Sequence, residues 1–139
     1  MIIIACVDEK WGTRFNGRRQ SRDRILCGDM LKLTEGSRLW MDEKSRELFE
    51  GPEAERILTD ARFLEKAGAG EYCFVEGQDL EACRERLEGA VLYRWNRVYP
   101  SDQYWDQTLL EGMRLKEEWE FAGSSHEIIT REVYVRFEN

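Results

Sequence analysis

Histidine occurs once in these 139 residues, proline twice and cysteine four times. A single imidazole, His126, leaves too few nitrogen ligands for most zinc sites, and Cys6, Cys27, Cys73 and Cys83 never fall into Cys-x-x-Cys spacing, so no metal centre is expected. The same four cysteines read as free thiols of a reducing cytosol rather than as a disulfide framework. With only Pro52 and Pro100, and with no repeat or low-complexity run, composition offers no place to cut the chain, and residues 1–139 are expected to form one domain. The longest apolar run, Met1 to Val7, is far short of a bilayer span. No basic segment precedes it, so Ile2 onward is expected to be a first strand and not a secretory leader, and the expected location is the cytoplasm, away from membranes.

What is present is a globular composition. Apolar residues make up 42% of the chain, too many for a disordered segment. Basic side chains number 21 and acidic ones 28, a net charge of −7, which disfavours general binding of DNA or RNA because polyphosphate is repelled. Positive charge concentrates once, in Arg14, Arg18, Arg19, Arg22 and Arg24.

Periodicity outlines an alternating chain. Ile2 to Val7 reads as a strand covered on both faces, and Asp8 to Gln20 as an irregular surface loop. Ser21 is the expected N-cap of a helix running to about Thr34, with Leu26, Met30 and Leu33 on one face and Gly36 ending it. Strands are expected at Arg38–Met41, Arg56–Leu58, Glu71–Val75 and Ala90–Asn96, with helices at Glu43–Glu50, Ala61–Ala67 and Asp79–Leu87. Met113, Leu115, Trp119 and Phe121, then Val133, Val135 and Phe137, recur at even spacings and close the chain as two strands. The expected fold is α/β: a three-layer sandwich whose mostly parallel central sheet carries a C-terminal antiparallel hairpin.

Several strings resemble the dihydrofolate reductase family in order and spacing. Ile4-Ala5-Cys6-Val7-Asp8-Glu9-Lys10-Trp11-Gly12 is similar to its first strand and the start of its mobile loop. Leu39-Trp40-Met41-Asp42-Glu43-Lys44-Ser45 resembles its second strand and the turn into the cofactor-binding helix, and Cys73-Phe74-Val75-Glu76-Gly77 the strand that ends in paired glycines. Tyr93-Arg94-Trp95-Asn96 with Asp102-Gln103-Tyr104-Trp105 resembles a later strand and turn of that family, and Trp119 onward its closing hairpin. The chain is roughly twenty residues shorter than a bacterial member, which fits a loss between Leu58 and Tyr72, where the family helps to hold the adenosine end of its cofactor.

The resemblance implies a catalytic carboxylate at the start of the helix after the loop. Asp23 is the candidate and Asp29 its rival; the bland alternative is that Asp23 only favours the helix N-terminus. It also implies cofactor contacts at Lys44, Ser45 and Gly77, whereas Asp42, Glu43 and Glu76 stand where the family has a small glycine, a basic residue and one glycine of its pair. Carboxylates there repel a pyrophosphate, so the expectation is no cofactor, with NADP as the one the resemblance would admit. Arg18, Arg19 and Arg22, if they meet Ser124, Ser125 and His126 across the cleft, would form an anion site with one titratable base. Trp11 is placed to stack a planar ring, and Tyr93 stands where the family has a threonine bonded to its carboxylate, so it would narrow the pocket.

The leading expectation is a diverged protein of this type, without dihydrofolate reductase activity, that binds a small anionic or heterocyclic ligand, or a protein partner, in the old cleft. The alternative is an NADPH-dependent oxidoreductase acting on a pterin or related ring with Asp23 as its carboxylate. A phosphodiester hydrolase using Arg18 to Arg22 and His126 on RNA is a third class, but its zinc-dependent form needs an H-x-H-x-D-H cluster that one histidine cannot supply. The large aromatics make a homodimer a further expectation.

Overall fold

A computed structural model describes residues 1–137. Its central sheet has seven strands in the order β5-β4-β6-β1-β7-β10-β9. β1 (Ile2–Val7) lies in the middle, parallel to β6 (Tyr72–Phe74) on one side and to β7 (Gly89–Arg94) on the other. β4 (Leu39–Met41) and β5 (Leu58–Thr59) extend the parallel half. β9 (Met113–Phe121) and β10 (Ile129–Arg136) form the antiparallel hairpin, which joins the sheet through β10 against β7.

Two apolar layers explain the unbroken run of β1. Ile3, Ala5 and Val7 face Phe63, Leu80, Cys83, Leu87 and Leu109, whereas Ile4 faces the other way, with Phe74, Val91 and Tyr93, toward Leu26, Met30, Phe49 and Ile57. Helix α1 (Arg24–Leu33) covers this second face. The first face is covered by α3 (Phe63–Lys66) and by short 3₁₀ turns at Glu81–Arg86 and Gln107–Leu110. No helix among the described residues is long and apolar enough to cross a membrane.

Helical expectations were too generous outside α1. The helix expected over Glu43–Glu50 is α2 (Glu43–Arg46), a single turn with Glu47 as its C-cap; Gly51, at a φ of 90°, and Pro52 close off any extension beyond Glu50 by starting a 3₁₀ turn. Within 79–87 only Glu81–Arg86 winds, as a 3₁₀ turn, and Leu80 at its N-cap and Cys83, three apart, are both buried. The strand expected at Arg56–Leu58 shifts to Leu58–Thr59, since Pro52–Arg56 is itself a 3₁₀ turn.

The stretch expected as an irregular loop is ordered. β2 (Gly12–Phe15) and β3 (Arg18–Arg19) make a hairpin about Asn16 and Gly17, both at positive φ, and β8 (Gln103–Tyr104) completes a second, three-stranded sheet. Asp8, fully buried, ties this sheet to the end of β1. Its carboxylate accepts the N–H groups of Lys10 and Gly12 at 2.8 Å and of Tyr99 at 3.0 Å, and the Gln20 amide at 3.1 Å. Burial pushes the Asp8 carboxyl up, but these donors more than reverse it and leave it below its ordinary range.

Candidate functional site

The carboxyl ends of β1, β6 and β7, the start of α1 and the second sheet enclose a cavity of about 280 Å³. Crevices at this end of parallel strands are where open α/β sheets place ligands. Leu26, Phe74, Leu80 and Trp95 give it apolar walls, and Arg19, Ser21, Arg22, Asp23 and Glu76 give it a charged rim.

Asp23, not Ser21, caps α1. Its Oδ1 accepts the N–H groups of Ile25 at 3.0 Å and Leu26 at 3.2 Å, which a helix start otherwise leaves unpaired. The loop after β9 closes over the same carboxylate: Ser124 N–H donates to Oδ1 at 3.0 Å, Ser125 N–H to Oδ2 at 2.9 Å, and His126 Nδ1 lies 3.0 Å from Oδ2. A side chain on Gly123 would collide with Asp23 Oδ2 and Ile129, so this approach requires glycine there. Burial alone would raise the Asp23 carboxyl; the N–H groups of Ser124 and Ser125, His126 and Leu26 overcome it and hold the group far below the usual carboxylate range. Asp23 is therefore both the helix cap of the bland alternative and part of a buried site.

The two polar strings meet through Ser21 and the backbone of Arg22 and Arg24. Ser124 Oγ accepts the Arg24 N–H at 3.0 Å, Ser125 Oγ donates to the Arg22 carbonyl at 2.8 Å, and Ser21 Oγ lies 3.1 Å from His126 Nε2. His126 is 4% exposed, stacked on Trp95 at 4.4 Å, with the Tyr99 hydroxyl 2.8 Å from its Nε2. Arg19 does not join them as a free cation. Its guanidinium forks onto Glu76 with two 2.9 Å bonds, and Ser45 Oγ donates to the same carboxylate at 2.7 Å.

That fork fills the region where the resemblance implies cofactor phosphates. Asp42 Oδ1 accepts the Ser45 N–H at 2.8 Å and its Oδ2 the Gln78 amide at 2.9 Å, so the start of α2 is already capped by a carboxylate. Gly77, at φ 92°, is covered by the Arg14 side chain, which a Cβ there would overlap. Lys44 lies with Arg14, Arg18 and Arg22 along the outer groove beside Asp42 and Glu76. Among the described residues no group of three or more histidine, cysteine or acidic side chains is placed to hold a metal ion.

Two expected ligand contacts lie elsewhere. Trp11 is not on the cavity wall: it stacks on Trp105, with centroids 6.3 Å apart, under the Arg94 guanidinium at 4.4 Å, because a φ of 67° turns its backbone at the second sheet. Tyr93 is wholly buried and lies off the cavity, so it does not narrow it. Its hydroxyl donates to Asp29 Oδ2 at 2.7 Å, and Arg131 Nη1 donates to both Asp29 oxygens at 2.8 Å. Asp29, the rival carboxylate, thus braces α1 against β7 and β10. Replacing Tyr93 with phenylalanine leaves Asp29 with Arg131, and is expected to cost about 1–2 kcal/mol in urea unfolding.

Alignment of the whole fold is decisive about architecture. A dihydrofolate reductase from Enterococcus faecalis, solved in complex with NADP(H) and RAB-propyl, superposes with a TM-score of 0.69 over 99% of this chain and 96% of that one, at 11% identity. The chain has the dihydrofolate reductase fold. No protein-family model matches the sequence, and no curated protein does. Within this fold the cavity has apolar walls, and side chains at its rim bind one another.

Sequence reasoning did not single out Asp8 and Tyr99, nor pair Ser21 with His126; only the polar types of Ser21 and His126 hinted at that pair. The four thiols form no disulfides. Burial pushes Cys27 and Cys73 up to about 12 and raises Cys6 and Cys83 as well. At about pH 8 the native chain is expected to react with iodoacetamide roughly a hundredfold more slowly than the same chain in denaturant, as followed by intact mass.

Proposed function

We propose that this chain uses its cavity to bind a small anionic or heterocyclic ligand and does not reduce dihydrofolate. The observation that carries the reading is the Arg19–Glu76–Ser45 fork beside the Asp42 cap, because it sets carboxylates at 2.7–2.9 Å from the donors that a pyrophosphate would need. The residues present do not fit a dinucleotide: seating it would require breaking that fork and desolvating Glu76 and Asp42 against like charge. Asp23 supports the same reading, since its two oxygens already accept five N–H groups and have no site left for a ring. Arg19, Arg22 and Gly77 line the proposed ligand cavity itself, Arg18, Lys44 and Ser45 line the outer groove beside it, and Ser124 and Ser125 border a neighbouring groove with Arg22, with His126 reaching Ser21 behind them.

A second reading, an NADPH-dependent reductase, is favoured by the NADP(H) complex named for the structural neighbour and by Lys44 at the outer groove. A thermal-shift panel of NADPH, NADH, folates, nucleotides and phosphate separates them, because a ligand that binds only the folded chain raises its melting temperature. The expected result is a shift with a small anion or heterocycle and none with NADPH at concentrations far above micromolar. A 2′-phosphate-dependent shift with NADPH would reverse the order of the two readings.

A further inference from the structure

Ligand binding leaves one set of contacts without a role. Ser21 Oγ lies 3.1 Å from His126 Nε2, and Nδ1 of the same ring lies 3.0 Å from Asp23 Oδ2. The Asp23 carboxylate can only accept, so the Nδ1 proton points at it and the Nε2 lone pair turns to Ser21. The ring is held in plane by Trp95, and the carboxylate by the N–H groups of Ser124 and Ser125. Ser21 is half-buried and lines the cavity, which sets the residue on the ligand side. A hydroxyl on a base that is itself oriented by a buried acid is the arrangement that activates an oxygen nucleophile.

We propose that Ser21, His126 and Asp23 form an acyl-transfer centre that hydrolyses a small carboxylic ester whose acyl group fits the cavity. This rests on the reading of the cavity as a ligand site. Its walls at Leu26, Phe74, Leu80 and Trp95 and its volume of about 280 Å³ suit a compact apolar or aromatic acyl group. Ser21 Oγ attacks the ester carbonyl carbon as its proton passes to His126 Nε2. The tetrahedral adduct then collapses, breaking the bond to the alcohol oxygen, which leaves with the proton from Nε2. Water next attacks the acyl-serine carbonyl and gives a proton to Nε2; the carboxylic acid departs and Ser21 Oγ takes that proton back. Asp23 positions the ring and stabilises its protonated form.

Tyr99 competes in this arrangement. Its hydroxyl lies 2.8 Å from the same Nε2, which has one lone pair for two O–H donors. Tyr99→Phe therefore leaves that lone pair to Ser21 and is expected to speed the first step.

The test is covalent labelling of the full chain with an alkyl fluorophosphonate, read by intact mass and peptide mapping. One adduct on Ser21 is expected, absent from Ser21→Ala and formed at least as fast in Tyr99→Phe. Hydrolysis of p-nitrophenyl butyrate should follow the same order. Because replacing His126 removes one of the buried donors to Asp23 and the ring stacked on Trp95, Ser21→Cys supplies a second measurement that leaves the network in place. The introduced thiol, beside His126, should be alkylated by iodoacetamide at neutral pH at least tenfold faster than a free thiol, over a low background from the four native cysteines. No adduct, an adduct on another residue, slower labelling of Tyr99→Phe, or an introduced thiol no faster than free cysteine overturns the proposal. Run beside the thermal-shift panel, a ligand shift without an adduct removes hydrolysis and leaves ligand binding standing; neither signal removes both.

Discussion

Asp23→Asn is expected to destabilise the folded chain by about 3 kcal/mol in urea unfolding, a fall of roughly ten degrees in Tm for a chain of this size. An amide keeps one acceptor for the Ile25 and Leu26 N–H groups, so the helix cap partly survives. Its NH2 group must then face the Ser125 N–H and the His126 ring, which donate to Oδ2 in the native chain, and one buried donor is left without a partner. The pH dependence gives the prediction its sign. The folded Asp23 carboxyl sits far below its unfolded value, so its stabilisation is complete above about pH 4 and is lost as pH falls through the window beneath. The native chain should therefore lose stability on acidification from about pH 5 more steeply than Asp23→Asn, which has no proton to bind there. Equal acid limbs for the two proteins would show that Asp23 contributes no such linkage.

That site shows where the sequence is legible. The run Ile2 to Val7 announced a strand buried on both faces, and the period-two hairpin at the C-terminus followed from alternating apolar residues, because both patterns are local. Asn16-Gly17, between Phe15 and Arg18, is a local hairpin signal as well, and the irregular loop expected over Asp8 to Gln20 leaves it out. The site is different in kind. Asp23 meets Ser124 to His126 about a hundred positions along the chain, and Arg19 meets Glu76 across 57. Residue type showed that these side chains were polar. Only the fold decides that Glu76 neutralises an arginine instead of merely repelling a phosphate, and that Tyr93 reaches Asp29 rather than the cavity. The family resemblance supplied the order of elements, and the departures from it at Asp42 and Glu76 became ion pairs and caps once the chain was folded.

Those departures can be reversed one at a time, which is the second large effect expected. Glu76→Ala should tighten binding of inorganic pyrophosphate by roughly ten- to a hundredfold. Glu76 holds Arg19 through two 2.9 Å bonds and occupies Ser45 Oγ at 2.7 Å; without it, both donors turn to the groove already bordered by Arg14, Arg18, Arg22 and Lys44. A unit charge removed near a bound anion is worth on the order of 1–3 kcal/mol at the effective dielectric of a protein surface, which corresponds to that gain in affinity. Stability should fall by only about 1 kcal/mol, since the pair is partly exposed and Arg19 regains solvent when released. Titration calorimetry at low and at high salt checks both parts: the gain should shrink as salt screens the groove. Unchanged pyrophosphate affinity in Glu76→Ala would mean that the carboxylate does not guard this groove, and the exclusion of a dinucleotide would have to rest on Asp42 and the Arg14 side chain over Gly77 alone.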